Sequence, residues 1–320
     1  MLKLAHIINP FHARPGSEAA WAQPITFESM RVARDFCAGR IDVTLYSAQY
    51  EHDRTAVPEG LTLTSDLDRS VLDMANFEVE RPLPLLRDIL DRAYICAPQA
   101  DYLIYTNTDI GLQPNFYISI ARIIERMGYE AFAINRRSIP EVYRDVADLP
   151  LMWAEDGVPH SGYDCFVFKR ELWSQYDPGD VCVGAAYVGR ALLLSMAYQG
   201  AKFRVFENAL LTFHIGGNGE WLQPALQDYM DYNWSCLKVQ VARVEAEHGT
   251  MSAERRAFWL EQWADRVWYD TAPSDACLPN VAPDYEQRRL RVLQARSQQR
   301  QHSLLWRIFY KLRHMLRATK

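Results

Sequence analysis

The sequence predicts an α/β layer fold followed by a helical C-terminal extension. Short apolar, β-rich runs alternate with segments of helical periodicity from Leu4 to Ile215. From about Ser252 onward no strand pattern recurs. At 320 residues, with 49% hydrophobic and 12% aromatic residues, the chain can bury a sizeable core. That excludes disorder as its overall state. No internal repeat or low-complexity run interrupts the pattern.

The elements follow in order. Leu4–Ile8 is a first strand, because its apolar run is too short and too interrupted for a secretory signal. From Thr26 to Cys37, Phe27, Met30, Ala33 and Phe36 fall at helical spacing. Ile41–Tyr46 is a second strand. Pro84 suits the entry to a second helix, whose apolar face is Leu86, Ile89, Leu90, Ala93 and Tyr94. Asp101–Tyr105 reads as a strand, Phe116 to Met127 as a helix and Ala131–Asn135 as another strand. Further strands are expected at Cys165–Phe168, Phe203–Phe206 and Leu211–Ile215, with an apolar helix over Ala185–Tyr198. Ser252 caps a helix reaching Trp268, with Glu254 in its first turn. Pro273, Pro279 and Pro283 mark a loop before an Arg/Gln-rich helix. A main domain over 1–250 and an extension over 251–320 are therefore expected.

The net charge of −5 hides a split. Ten basic residues and no Asp or Glu lie between Arg288 and Lys320, which leaves −15 on residues 1–287. Near the end, Leu304, Leu305, Ile308, Phe309, Leu312, Met315 and Leu316 share one helical face, with Arg307, Lys311, His314 and Arg317 opposite. Residues 304–317 thus have the composition of a helix lying on an anionic membrane surface, or of one docked on the acidic body. No nucleic-acid motif accompanies the charge, and no nucleic-acid partner is expected. No stretch reaches the ~20 apolar residues of a membrane span. The six cysteines include no C-x-x-C pair. Free thiols in a cytoplasmic protein are the expectation, with a peripheral place at the inner face of a membrane if 304–317 lies on lipid rather than on the body.

Three stretches carry chemistry. In Tyr102-Leu103-Ile104-Tyr105-Thr106-Asn107-Thr108-Asp109, an apolar strand ends in an amide and a carboxylate two residues apart. Side chains at such a strand end project into the ligand crevice of an α/β sheet. Asp109 is an oxygen ligand suited to Mg²⁺ or Mn²⁺, with Asn107 a weaker neutral one. A turn closed by Asn and Asp on their own backbone is the other reading. In Leu211-Thr212-Phe213-His214-Ile215, one histidine sits on an apolar strand before Gly216-Gly217-Asn218-Gly219. It is either a core histidine or a metal ligand beside a pliable loop. In His160-Ser161-Gly162-Tyr163-Asp164, Gly162 permits close backbone approach, and Asp164 is either a base or a turn cap.

Taken in order, these stretches resemble the GT-A glycosyltransferase superfamily, the nucleotide-diphosphosugar transferases with a Rossmann-like fold. The resemblance covers about residues 1–221. It implies a mixed sheet flanked by helices, a nucleotide-sugar donor, a carbohydrate or lipid-linked acceptor and a Mn²⁺ or Mg²⁺ cofactor. It implies that Asp109, His214 and Asn107 serve the metal, and that Gly162 lies near the substrates. It puts the nucleoside beside Asn9, Phe11 and Ser47, and suggests Arg81 and Arg136 for the diphosphate, whose oxygens match the guanidinium fork. The triplet here is Asn-Thr-Asp rather than Asp-x-Asp, so one charge is missing. Asp180-Val181-Cys182-Val183-Gly184-Ala185 lacks the family's Glu-Asp pair, which leaves Asp164, then Asp180, as the base. Two other functions are compatible with the residues. One is a catalytically silent module that binds a sugar nucleotide or a partner. The other is a nucleotidyltransferase using Arg14-Pro15-Gly16-Ser17.

Overall fold

A computed structural model describes residues 1–199, 202–216 and 224–260. The chain runs β1 (Lys3–Ile8), α1 (Glu18–Phe36), β2 (Asp42–Ser47), β3 (Thr62–Leu63), α2 (Leu86–Cys96), β4 (Tyr102–Thr106), β5 (Gly111–Leu112) and α3 (Phe116–Arg122). It continues with β6 (Ala131–Ile139), α4 (Leu149–Ala154), β7 (Val158–Lys169), α5 (Val188–Gln199), β8 (Phe203–Phe206), β9 (Thr212–Ile215), α6 (Gln227–His248) and α7 (Ala253–Leu260). The expected basic amphipathic helix at 304–317 lies outside the described residues. So do Trp268, the prolines at 273, 279 and 283, and most of the 251–320 extension.

Nine strands form one mixed sheet, ordered β3-β2-β1-β4-β7-β6-β9-β5, with β8 on β6. β3, β2, β1 and β4 are parallel, and β7 enters antiparallel between β4 and β6. The parallel strands are buried on both faces, which is why β1 and β4 read as near-continuous apolar runs. One apolar cluster joins Ile7, Leu103 and Phe168 to α2, α5 and α6, and a second joins Leu4, Ile104 and Phe132 to α1 and α3. The sheet is thus covered by helices on both faces, the layout expected for a Rossmann-like GT-A sheet.

Several differences from expectation have physical reasons. α1 begins at Glu18 rather than Thr26, although Pro24 lies inside it. Pro24 is exposed, so its missing N–H costs a helix bond and no core packing. β7 extends over twelve residues, because its first half pairs with the distal half of β6. The 22-residue α6 was not anticipated, since its polar residues obscure the stripe of Tyr229, Leu237, Val241 and Val244 that faces the core. Ser252 caps α7 as expected, its hydroxyl accepting from the Arg255 N–H at 3.2 Å. The expected boundary near 250 falls between α6 and α7, and Trp259 of α7 is buried in the same core as α5. Among the described residues no helix is long and apolar enough to cross a membrane. Cys37, Cys96, Cys165, Cys182 and Cys236 are free thiols.

β5 and β9 approach closely at one glycine. A Cβ on Gly111 would lie 2.3 Å from Cζ of Phe213, whose ring is fully buried. Gly111→Ala is therefore expected to destabilise the fold by about 1–3 kcal/mol through overpacking. Urea unfolding should show a lower midpoint with an unchanged slope.

Candidate functional site

The site forms where β4 ends. The turn after Thr106 leads into β5, and β5 pairs antiparallel with β9 through Gly111↔Phe213 and Leu112↔Thr212. That register carries Asp109, two residues before Gly111, to His214, one residue after Phe213. The two side chains are 3.3 Å apart, Oδ2 to Nε2. β9 also pairs parallel with β6, Ser138 opposite His214.

Arg136 and Asp164 enter through an irregular ladder. β6 and β7 are in register from Ala131↔Phe168 to Ile134↔Cys165, then shift so that Asn135 faces Tyr163 and Arg137 faces Pro159. Arg136 and Asp164 are among the residues that the pairing skips. Such bulges re-aim side chains, and they are frequent beside active sites. Arg136 Nη1 reaches Asp164 Oδ2 at 2.9 Å, with the two side chains only 7% and 12% exposed. Gly162 lies on the same bulged segment. Its N–H donates to His160 Nδ1 at 2.8 Å, and a Cβ on it would lie 2.5 Å from that ring and 3.4 Å from Asp164 Oδ2.

The sequence reading missed one member. Glu18, in the first turn of α1, places Oε1 3.0 Å from His214 Nε2. α1 is held against β5 by the Leu112 N–H, which donates to Ser29 Oγ at 2.9 Å. The signal available was an acidic residue just after the Arg14–Ser17 turn, at the start of a helix whose first turns Pro24 disguises.

The electrostatics follow from crowding. Burial pulls the His214 imidazole down, as does the Arg136 charge, yet hydrogen bonds to Asp109 and Glu18 carry it up to about 9. Burial also raises Asp109, but the hydrogen bond and charge of His214, with the charge of Arg136, hold its carboxyl below the ordinary range. Asp109 is 36% exposed in spite of this strong desolvation, so it is deeply set but open to solvent. Its Oδ1 is buried without a hydrogen-bond partner. Asp164 moves the other way, because burial outweighs the opposing charge of Arg136 and leaves the carboxyl above its usual value.

The remaining expected residues divide. Asn107 lies beside the cluster, with its Oδ1 accepting from the Tyr105 hydroxyl at 3.0 Å. Asn9 donates to the Ala48 carbonyl at 2.7 Å and so ties the ends of β1 and β2 together, while the buried Ser47 hydroxyl donates to Gln49 Oε1 at 2.7 Å. Phe11 has its backbone clamped on both sides by the Gln23 amide, at 3.1 Å each, and the residue is 39% exposed. Asp180 keeps other company, with Arg69 at 3.8 Å and the Tyr232 hydroxyl on its carbonyl. The Arg81 N–H donates to the Tyr229 hydroxyl at 2.7 Å.

For a divalent cation, the donor chemistry fits. Asp109 has an unused buried oxygen, His214 a nitrogen and Asn107 an amide oxygen, all hard or borderline donors. Among the described residues, no group of three or more His, Cys, Asp or Glu side chains forms a ready cage.

No protein-family profile matches the chain, and no curated protein matches it. Solved structures similar in fold include Staphylococcus aureus TarS 1-349 in complex with UDP-GlcNAc. It is 10% identical with a TM-score of 0.48, covering 83% of this chain and 73% of that one. Mannosyl-3-phosphoglycerate synthase from Rubrobacter xylanophilus is 13% identical with a TM-score of 0.43, covering 79% and 77%. Glucosyl-3-phosphoglycerate synthase from Mycobacterium tuberculosis, in complex with Mn²⁺, UDP and phosphoglyceric acid, is 15% identical with a TM-score of 0.42, covering 76% and 78%. At such identities and scores the fold class rests on this chain's own strand order and directions.

Beneath the cluster, buried His6 on β1 contacts the Thr106 hydroxyl at 2.9 Å and the Tyr117 hydroxyl at 2.8 Å. Burial lowers its pKa to about 3, so the folded state holds it neutral. Its contribution to stability is full above about pH 6.5 and is lost as pH falls toward 3, because the unfolded chain takes up the proton first. His214, raised to about 9, gains stability over the same fall in pH, so the effect of His6 is read by difference. Between urea unfolding at pH 7.0 and at pH 5.5, the wild type should lose stability relative to His6→Gln.

Proposed function

We propose that the chain is a glycosyltransferase that moves a sugar from a nucleotide-diphosphosugar to a hydroxyl acceptor with the help of a divalent cation. The observation that carries this reading is the convergence of Asp109, His214, Arg136 and Asp164 at one strand end. Three carboxylates, counting Glu18, stand there against Arg136 and His214, and His214 gives up its charge where its nitrogen binds a metal. A diphosphate would add more negative charge, and a divalent cation is the species that balances the set. Asp109 and His214 would hold it, with Asn107 beside them, and when bound it supplies positive charge to the departing diphosphate.

The chain's own residues account for the remaining roles. The Arg136 guanidinium, one strand away, is a second positive group for the diphosphate oxygens. Phe11, with its backbone fixed and its ring open, offers a face for the nucleobase. Asp164, raised by burial, is the base we assign. The acceptor oxygen bonds to the anomeric carbon, the carbon–oxygen bond to the diphosphate breaks with its electron pair, and the acceptor proton passes to Asp164. A single displacement of this kind, with the acceptor attacking opposite the departing diphosphate, inverts the anomeric centre.

A second reading is a silent binder of sugar nucleotides. The 2.9 Å pairing of Asp164 with Arg136 favours it, since a paired carboxylate is a poorer base. The two readings share the donor site and differ in turnover. A carbohydrate or lipid-linked acceptor, and a membrane contact through 304–317, belong to the proposal.

Thermal unfolding with a panel of sugar nucleotides, with and without Mn²⁺, is the first test. A true donor at 100 times its Kd should add about 2.7 kcal/mol of stability. No stabilisation by any donor would contradict both readings. Asp109→Ala is expected to leave the fold intact and to lower transfer by about 10²–10³-fold or more. Full activity in that variant would overturn the site assignment. Asp164→Asn should lose turnover but keep donor-induced stabilisation, and retention of turnover would remove Asp164 as the base.

A further inference from the structure

We infer that Gln23 and Asp53 are positioning residues of the nucleoside site. They fix the main chain of Phe11 and His12 and so hold the Phe11 side chain ready as a stacking face. The inference rests on the donor-site reading and adds two residues to it.

The loop between β1 and α1 has no strand or helix of its own at Phe11 and His12. Two consecutive peptide N–H groups there are taken by side chains from different elements. The Phe11 N–H donates to Gln23 Oε1 at 3.1 Å, and the Phe11 carbonyl accepts from Gln23 Nε2 at 3.1 Å. The His12 N–H donates to Asp53 Oδ1 at 2.7 Å. The His12 ring adds a third tie, Nε2 to Thr55 Oγ1 at 2.8 Å. Gln23 belongs to α1, and Asp53 and Thr55 to a 3₁₀ turn, Glu51–Ala56, that follows β2. The loop is thus strung between two elements.

Both anchors are themselves fixed. Gln23 and Asp53 are buried, and α1 buries Ala22, Ile25 and Thr26 beside Gln23. Arg54, next to Asp53, donates from Nε to Asp66 Oδ1 at 2.9 Å, and that oxygen also accepts from Gln49 Nε2 at 3.1 Å. A buried carboxylate is costly unless its oxygens are partnered. Asp53 spends one oxygen on the loop main chain, and the other lies 3.4 Å from His52 Nε2. Phe11, between the two ties, stays 39% exposed. A base that stacks on an aromatic ring gains most when the loop beneath it is already ordered, because the ordering cost is not charged to binding.

The test is a double-mutant cycle through Phe11, read by calorimetric titration of UDP, GDP, ADP and CDP into the full chain with Mn²⁺ present. Phe11→Ala is expected to weaken the nucleotide that binds best about tenfold. Gln23→Leu and Asp53→Ala should each weaken it roughly three- to tenfold. Asp53→Asn keeps an acceptor for the His12 N–H and should stay near wild type. In the Phe11→Ala background, Gln23→Leu and Asp53→Ala should have little further effect, since they act through that side chain. Thermal unfolding without ligand controls for folding. If either truncation fails to fold, Gln23→Glu carries the test, because it keeps one bond to Phe11 and makes the other repulsive. Wild-type affinity in the Gln23 and Asp53 variants, or equal losses with and without Phe11, would overturn the positioning role alone. Wild-type affinity in Phe11→Ala would overturn the stacking face on which it rests, and no binding of any of the four nucleotides by the wild type would overturn the donor-site reading.

Discussion

The site depends on a failure of strand register. Where β6 and β7 pair regularly, from Ala131↔Phe168 to Ile134↔Cys165, their side chains fill the two cores. One step further the ladder slips, and Arg136 and Asp164 leave the alternation that would have put them on opposite faces of the sheet. The same strand, β6, then passes its far edge from β8 to β9 and so delivers His214. A regular hairpin would have given a continuous sheet without a cluster of charges at its centre.

That cluster is costly, and its layout shows how the cost is met. Removing one partner from a buried ion pair destabilises a protein by about 3–5 kcal/mol, because the other charge is left without compensation. Here the charges come in contacts, Arg136 with Asp164 and His214 with both Asp109 and Glu18. The neutral polar groups below them, His6, Thr106 and Tyr117, satisfy one another. The charged groups together carry an excess of negative charge. An excess of that sign at a strand end is what a bound cation would relieve, and what would otherwise repel a diphosphate.

Much of this was legible in the residues. The strands β1, β4, β8 and β9 and the face of α2 stand where apolar runs and helical spacing put them. Asp109, His214, Asp164 and Arg136 are far apart in sequence; the motifs singled out the first three, and Arg136 was one of two arginines suggested for the diphosphate. Glu18 was hidden because Pro24 breaks the helical pattern, and the helix continues through it only since that proline faces solvent. Asn9 follows β1 and Ser47 ends β2, and their side chains are spent on Ala48 and Gln49. Asp180 lies across the α2 entry with Arg69, a placement set by tertiary packing that spacing alone does not carry. The β6–β7 slip leaves no mark in composition, and it is the feature that makes the site.

Co-crystallisation with Mn²⁺ and UDP, with the ion located by its anomalous scattering, tests the central claim most directly. The account predicts one Mn²⁺ peak bonded to Asp109 and His214 and to the diphosphate, with Arg136 within reach of the phosphate oxygens. A Mn²⁺–UDP complex bound away from β4 and β9, or a diphosphate seated there with no ion between it and Asp109, would contradict it.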